Sequence, residues 1–82
     1  VLKWTGSEAG CIDLRLLDML DARTVESALD VAASWGGPPQ NVMAAGDDGR
    51  VGWTIAGRFP VRAGFDGRSP AGWGADGVGW TG

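Results

Sequence analysis

Few side chains in this sequence are able to perform catalysis by themselves. The 82 residues include one cysteine, Cys11, and no histidine, so neither a Ser–His–Asp nor a Cys–His site can form within the chain. The same composition excludes an internal disulfide and a zinc site built on histidines or several thiolates. The serines have no neighbouring base other than carboxylates. We therefore interpret Cys11 as a small buried apolar side chain rather than a nucleophile.

Two short motifs resemble ligand-binding patterns but lack the context that those patterns need. Residues 72–77 match G-x-G-x-x-G, whereas a dinucleotide site requires a strand before this motif and a helix after it; here Pro70 precedes it and a turn-rich run follows. Asp47 and Asp48 are adjacent, whereas an EF-hand loop needs acidic residues at alternating positions and a distant glutamate. We interpret both motifs as turns.

Size and charge restrict the remaining functions. A chain of 82 residues is long enough for one small domain. Ten acidic and seven basic residues give a net charge of -3, which excludes a generic basic nucleic-acid-binding protein, so we expect no nucleic-acid partner. We also expect no membrane span, because no apolar run approaches ~18 residues. The first residues lack the basic flank and apolar region of a signal peptide.

We interpret the 82 residues as a single segment with three parts. The composition changes near Gly36, where the first part ends. Residues 1–35 are predicted to be helical: a short strand at 1–5 precedes a leucine-bearing helical face between 12 and 20, and Thr24 is the predicted N-cap of a second helix. Residues 36–62 are predicted to form a β-hairpin, with strands at 42–45 and 51–56 joined by an Asp-Gly turn. Residues 63–82 are predicted to be a Gly/Trp-rich loop that packs against a larger body.

The recurring Asp-Gly and Gly-Trp pairs suggest an alternative function. Tryptophans at regular positions stack on sugars in some proteins, so a non-enzymatic carbohydrate-binding module remains open. The pairs recur at unequal spacings, however, whereas a repeat array requires a fixed period. This alternative predicts exposed tryptophans that are quenched by oligosaccharides.

Residues 40–62 carry the most specific pattern in the chain. At compatible spacing, this pattern resembles a β-chain segment of the penicillin acylase family of N-terminal nucleophile hydrolases; its matching positions are Asn41, Gly49, Val51-Gly52-Trp53, Gly57, Pro60 and Arg62. The two predicted helices, the Lys3-Trp4 pair and the loop at 64–82 resemble their family counterparts more loosely. Gly46 stands where the family usually has Asp.

The resemblance implies an α+β chain that forms part of an αββα fold and hydrolyses N-acyl amides. In that family, the free α-amine of a β-chain N-terminal serine is the base for its own hydroxyl, and an Asn side chain stabilises the oxyanion. Asn41 is the matching position, and a primary amide offers N–H donors without a titratable charge. Arg62 matches a family arginine near the site, where a guanidinium is able to orient Asn41 or favour the oxyanion electrostatically.

The resemblance also implies partners. Residue 1 is Val rather than a nucleophile, so we expect an internal piece of a β chain, inactive alone, that needs the α chain and the rest of the β chain. The substrate is expected to be a small N-acyl amide; relatives act on penicillins, cephalosporin side chains, acyl-homoserine lactones and other amides. We expect periplasmic or secreted localisation and no cofactor. The resemblance would also allow a structural calcium ion, an expectation that Gly46 weakens. We further expect Trp53 to lie on a buried strand.

Overall fold

A mixed α+β architecture is present in the computed structural model, which describes residues 2–72 and 76–82. Over these residues, two 3₁₀ helices lead into one α-helix and four strands in two antiparallel sheets. In chain order the elements are a 3₁₀ helix at Thr5–Ser7, a longer one at Leu14–Asp21, α1 at Val25–Ser34, β1 at Gln40–Ala45, β2 at Val51–Ala56, β3 at Arg62–Ala63 and β4 at Gly79–Trp80.

The predicted hairpin is confirmed, and it is the larger of the two sheets. Strands β1 and β2 pair in an antiparallel register that places Asn41 opposite Ile55 and Met43 opposite Trp53. The turn is closed by the N–H of Gly46, which donates to the carbonyl of Arg50 at 2.9 Å. Gly49 has a φ of +84°, a backbone conformation in which glycine carries little steric cost.

The second predicted helix is also confirmed, with Thr24 at its N-cap. The backbone N–H of Ser27 donates to Thr24 Oγ1 at 3.1 Å, and the N–H of Thr24 donates to Ser27 Oγ at 3.0 Å. This reciprocal capping satisfies N–H groups that have no partner inside the helix.

Helix α1 packs against one face of the hairpin. A Cβ atom placed on Gly52 would lie 2.5 Å from Leu29 Cδ1, so the absence of a side chain at Gly52 permits the close approach of helix and sheet. Among the described residues, the buried apolar side chains are those of Val25, Ala32 and Ala56. The opposite face of the hairpin is not covered by α1.

The predicted short strand at residues 1–5 was wrong over residues 2–5. Thr5, Gly6 and Ser7 form a 3₁₀ turn instead of the end of a strand, and the N–H of Ser7 donates to the carbonyl of Trp4 at 3.0 Å. Within the described part of the chain, residues 2–4 belong to no strand. A Thr-Gly-Ser sequence favours such a turn because its side chains give a strand little to pack.

The predicted leucine-bearing helix is present as a 3₁₀ helix whose apolar side chains are exposed. Leu14, Leu17 and Leu20 are between 59% and 75% exposed, and Leu16 is 44% exposed. Asp13 caps this helix by accepting a hydrogen bond from the N–H of Arg15 at 2.8 Å. Most of the leucine face is thus exposed among the described residues.

The loop at 63–82 contains one feature that the sequence did not indicate. Strand β3 pairs with β4, so that Arg62 lies opposite Trp80. The pairing is extended by Val61, whose N–H donates to the carbonyl of Gly82 and whose carbonyl accepts from Thr81, both at 2.9 Å. The G-x-G-x-x-G motif at 72–77 lies partly outside the described residues.

No helix in the described ranges has the length and apolar character that crossing a membrane requires.

Candidate functional site

Asn41 lies near the start of β1, on the hairpin face that points away from α1. The indole Nε1–H of Trp53 donates to Asn41 Oδ1 at 3.2 Å. The two residues are diagonal neighbours on one face, because Trp53 pairs with Met43 and Asn41 pairs with Ile55. The strand pairing therefore places the Asn41 amide oxygen beside the Trp53 indole N–H. In the described structure, this is the one donor on this face that bonds to that oxygen.

This hydrogen bond determines which atoms of the Asn41 amide face outward. Its oxygen is engaged by Trp53, so the Nδ2 amino group is left with two N–H donors. Among the residues described, none accepts a hydrogen bond from this amino group. A pair of neutral N–H donors without a competing partner is one kind of group that is able to stabilise a developing negative charge.

Trp53 itself departs from the prediction of a buried strand. Its side chain is 57% exposed, and that of its pairing partner Met43 is 73% exposed. The physical reason is that α1 covers the alternate face, where Gly52 and Ala56 lie, and side chains in a strand alternate between faces.

The backbone segment before β1 is anchored from both directions. The N–H of Arg58 donates to the carbonyl of Gly37 at 2.8 Å, which joins the end of β2 to the approach of β1. Gly57 has a φ of +93°, and a Cβ atom there would lie 2.3 Å from the carbonyl oxygen of Pro38. A side chain at position 57 would push these two segments apart. Gly57 therefore allows the backbone that leads into Asn41 to stay close to the end of β2.

Asp13 forms the second anchor, and sequence analysis did not single it out. Its carboxylate accepts the N–H of Gly36 at 2.8 Å, and its carbonyl accepts the indole N–H of Trp35 at 3.3 Å. Hydrogen bonds from the Arg15 side chain, followed by those from the backbone N–H groups of Arg15 and Gly36, hold the pKa of Asp13 far below its usual range. The carboxylate is thus ionised wherever the fold is intact near neutral pH.

Arg62 lies in the second sheet, apart from the hairpin that carries Asn41. It opens β3 opposite Trp80, and its guanidinium lies across the backbone of Gly67, where an added Cβ would be 2.5 Å from Arg62 Nε. Within residues 2–72 and 76–82, Arg62 and Asn41 share no hydrogen bond. The predicted support of Asn41 by Arg62 stays a prediction.

Asp48, in the turn next to Gly46, is already engaged by Arg50. Asp48 accepts from the backbone N–H of Arg50 at 3.0 Å and from its Nε at 2.8 Å, and these bonds lower the pKa of Asp48. A Cβ atom on Gly46 would lie 2.6 Å from Asp48 Oδ1, so an acidic side chain there would displace this ion pair. In the described part of the chain, no three acidic or cysteine residues cluster as a metal site would need.

Cys11 is half-buried, and its thiol donates to the carbonyl of Gly6 at 2.6 Å. This contact satisfies the thiol locally and agrees with its interpretation as a structural group.

The family model for penicillin amidase matches residues 1–82. The chain belongs to the penicillin amidase family. This membership confirms the resemblance found in the sequence, and the helices and antiparallel hairpin agree with part of that family's α+β fold. It gives the chain an amidohydrolase origin, and the carbohydrate-binding alternative gains no support from it. Comparisons with curated proteins and with solved structures give no significant match.

The indole N–H of Trp53 is the contact at this penicillin amidase hairpin that the sequence analysis missed. Strand parity offered a signal: residues 41 and 53 fall on the same face once the turn at Gly46–Arg50 sets the register. The anchor at Asp13 left no such signal, because its partner Gly36 lies 23 residues away in an irregular segment.

Proposed function

We propose that this chain is part of an amidohydrolase that cleaves an N-acyl amide bond, and that Asn41 supplies an N–H donor to the oxyanion. The observation that carries the proposal is the hydrogen bond from Trp53 to Asn41 Oδ1, because it leaves the amide N–H groups directed outward. Membership in the penicillin amidase family supports the reaction class.

The proposed chemistry divides amide hydrolysis into two steps. A serine hydroxyl on acylase polypeptide outside these 82 residues attacks the carbonyl carbon, and its proton passes to the α-amine of the same serine. The carbonyl oxygen becomes an oxyanion, which the Nδ2–H of Asn41 stabilises. The α-ammonium then gives its proton to the leaving nitrogen, so that the intermediate collapses, the amine departs and an acyl ester remains. Water hydrolyses this ester, which releases the carboxylic acid and restores the serine hydroxyl.

The uncovered faces of the chain support the proposal that further acylase polypeptide packs on it. Met43, Val51, Trp53 and Ile55 present a contiguous apolar face on the hairpin, each between 43% and 73% exposed. A sheet with one apolar face open is typical of a layer that packs against a second layer. We propose that this second layer is the rest of the enzyme, that the 82 residues alone are inactive, and that the enzyme acts in the periplasm or outside the cell.

Replacement of Asn41 by Ala in the assembled enzyme tests the proposal. The variant is expected to lower kcat ~100–1,000-fold with little change in folding, because one oxyanion donor is lost in the transition state. Turnover of an N-acyl amide is measured alongside the thermal unfolding midpoint.

Two further variants sharpen this test. Asn41→Asp keeps an acceptor for Trp53 but loses the N–H donors, so it should be as inactive as Asn41→Ala. Gln40→Ala, at the exposed neighbouring position on β1, should retain activity. Turnover of Asn41→Ala within threefold of the parent enzyme would contradict the oxyanion role.

A further inference from the structure

Asp13 differs from the other aspartates that bond to an arginine two residues later in the described chain. Asp13, Asp48 and Asp66 each accept the backbone N–H of that arginine, at 2.8, 3.0 and 2.9 Å. The side chains of Asp48 and Asp66 are 48% and 67% exposed, whereas that of Asp13 is 11% exposed. Of these three described carboxylates, that of Asp13 alone also accepts an N–H from a distant backbone segment, at Gly36. The local turn therefore does not explain the burial of Asp13.

The lead-in, which we define as residues 36–39 between α1 and β1, contacts Asp13 at its first residue. Gly36 is buried, and a Cβ atom there would lie 2.9 Å from Asp13 Oδ2 and 3.3 Å from the carbonyl oxygen of Gly10. The N–H of Gly36 donates to the same Oδ2 at 2.8 Å. The carboxylate is itself held by Arg15, whose Nε donates to Oδ2 at 2.8 Å. Asp13 thus fixes Gly36 in place while being fixed by a second contact.

The lead-in does not continue the strand pairing that follows it. Pro38 and Pro39 have no N–H with which to extend the ladder. The register of β1 and β2 would place residue 38 opposite Arg58, whereas the N–H of Arg58 donates to the carbonyl of Gly37. The β-ladder therefore does not set the path of the lead-in, which depends instead on the bonds at its first two residues.

We infer that Asp13 is a positioning residue for Asn41, an inference that rests on the oxyanion role proposed above. Asn41 is the second residue of β1 and lies where the pairing with β2 begins. The two prolines restrict the backbone between Gly36 and Asn41, so a displacement of Gly36 displaces Asn41 as well. A misplacement of about 1 Å is enough to cost ~100-fold in rate, so partial loss of this support is expected to cost ~10-fold.

Steady-state kinetics of the assembled enzyme test this inference, with kcat expressed per folded enzyme well below the unfolding midpoint of each variant. Asp13→Ala removes the acceptor for the Gly36 N–H and should lower kcat ~10-fold with KM unchanged. Asp13→Asn is able to place its amide oxygen where Oδ2 stands, so it keeps this acceptor and loses the charge beside Arg15. Its kcat should therefore stay within ~2-fold of the parent enzyme although its stability falls.

The matched control is Asp48→Ala, which removes the same local contact beyond the opposite end of β1. This variant should leave kcat unchanged. If Asp13→Ala does not assemble, Asp13→Ser takes its place with the same expectation, because the serine hydroxyl ends one atom short of the carboxylate oxygens.

A double variant separates positioning from general loss of structure. In the Asn41→Ala background, Asp13→Ala should not lower kcat further, because the group that it positions is absent. An equal loss in both backgrounds, an unchanged kcat of Asp13→Ala, or an Asp13→Asn enzyme as slow as Asp13→Ala would overturn the inference and leave the oxyanion role intact. Retained turnover of Asn41→Ala by itself would overturn both.

Discussion

At the scale of single residues, one indole N–H determines how Asn41 presents its amide. The amide of an exposed asparagine is able to rotate so that its oxygen and nitrogen exchange places, and in the role that we propose for Asn41 a reversed amide would turn an acceptor toward the oxyanion. Trp53 removes this ambiguity by donating to Oδ1 at 3.2 Å. The indole ring is rigid, so this donor sits on a side chain with only two rotatable bonds.

Trp53→Phe should therefore reduce catalysis without removing any group that touches the substrate. The variant keeps the aromatic ring and loses the N–H, so kcat should fall ~5-fold, the value of one hydrogen bond of about 1 kcal/mol, while KM stays the same. Met43→Leu, on the same face, should leave kcat unchanged.

Steady-state kinetics of the Trp53 and Asn41 variants distinguish positioning from catalysis. In the Asn41→Ala background, Trp53→Phe should have no further effect on kcat, because the oriented group is absent. An equal loss in both backgrounds would show that Trp53 acts independently of Asn41.

At the scale of secondary-structure elements, the contact between α1 and the hairpin depends on a glycine in β2. A Cβ on residue 52 would lie 2.5 Å from Leu29 Cδ1 and 3.0 Å from Val25 Cγ1. The first turn of α1 is also joined to the hairpin turn, because Arg50 bonds both Glu26 at 2.6 Å and Asp48 at 2.8 Å. Packing and charge thus set one arrangement of helix and hairpin.

Gly52→Ala is expected to destabilise this arrangement by about 1–3 kcal/mol, the usual cost of inserting a methyl group into a packed contact. Urea denaturation of the two proteins measures the difference. Gly79→Ala is the matched control, since Gly79 also lies in a strand and has no described atom within 4 Å of its missing Cβ. A Gly52→Ala protein as stable as the parent would contradict the claim that stability depends on this close contact between helix and sheet.

At the scale of the whole molecule, Asp13 connects the 3₁₀ segment to the region that leads into the hairpin. Its carboxylate joins Arg15 and Gly36, which lie on either side of α1 in the sequence. The pKa of Asp13 is lowered mainly by the Arg15 side chain, so the unfolded chain binds this proton more readily than the folded one. Stability from this contact is complete above the unfolded pKa of about 3.9 and is lost as the pH falls toward the lower folded value.

Asp13→Asn should therefore reduce stability at pH 7 and have a progressively smaller effect below pH ~3.9, where the parent carboxylate begins to gain its proton on unfolding. Chemical denaturation of both proteins at pH 7 and pH 3 measures the two differences. Arg15→Gln, which removes the main cause of the lowered pKa, should reproduce part of the loss. A stability difference that stays constant with pH would contradict this origin.

The features that the sequence by itself determined depend on residues close together in the chain. The N-cap at Thr24 and the turn around Gly49 follow from local hydrogen bonding and backbone conformation. The resemblance to the penicillin amidase family was carried by residues 40–62, and the family model matches residues 1–82. These properties require no knowledge of how distant segments meet.

Only the tertiary structure decided which side chains meet across longer separations. Asn41 and Trp53 are 12 residues apart, and Asp13 and Gly36 are 23 apart. The pairing of Arg62 with Trp80 likewise closes a glycine-rich segment that has no strand pattern of its own. Such contacts form because strand register and close glycine approaches bring particular backbones together, and composition specifies neither.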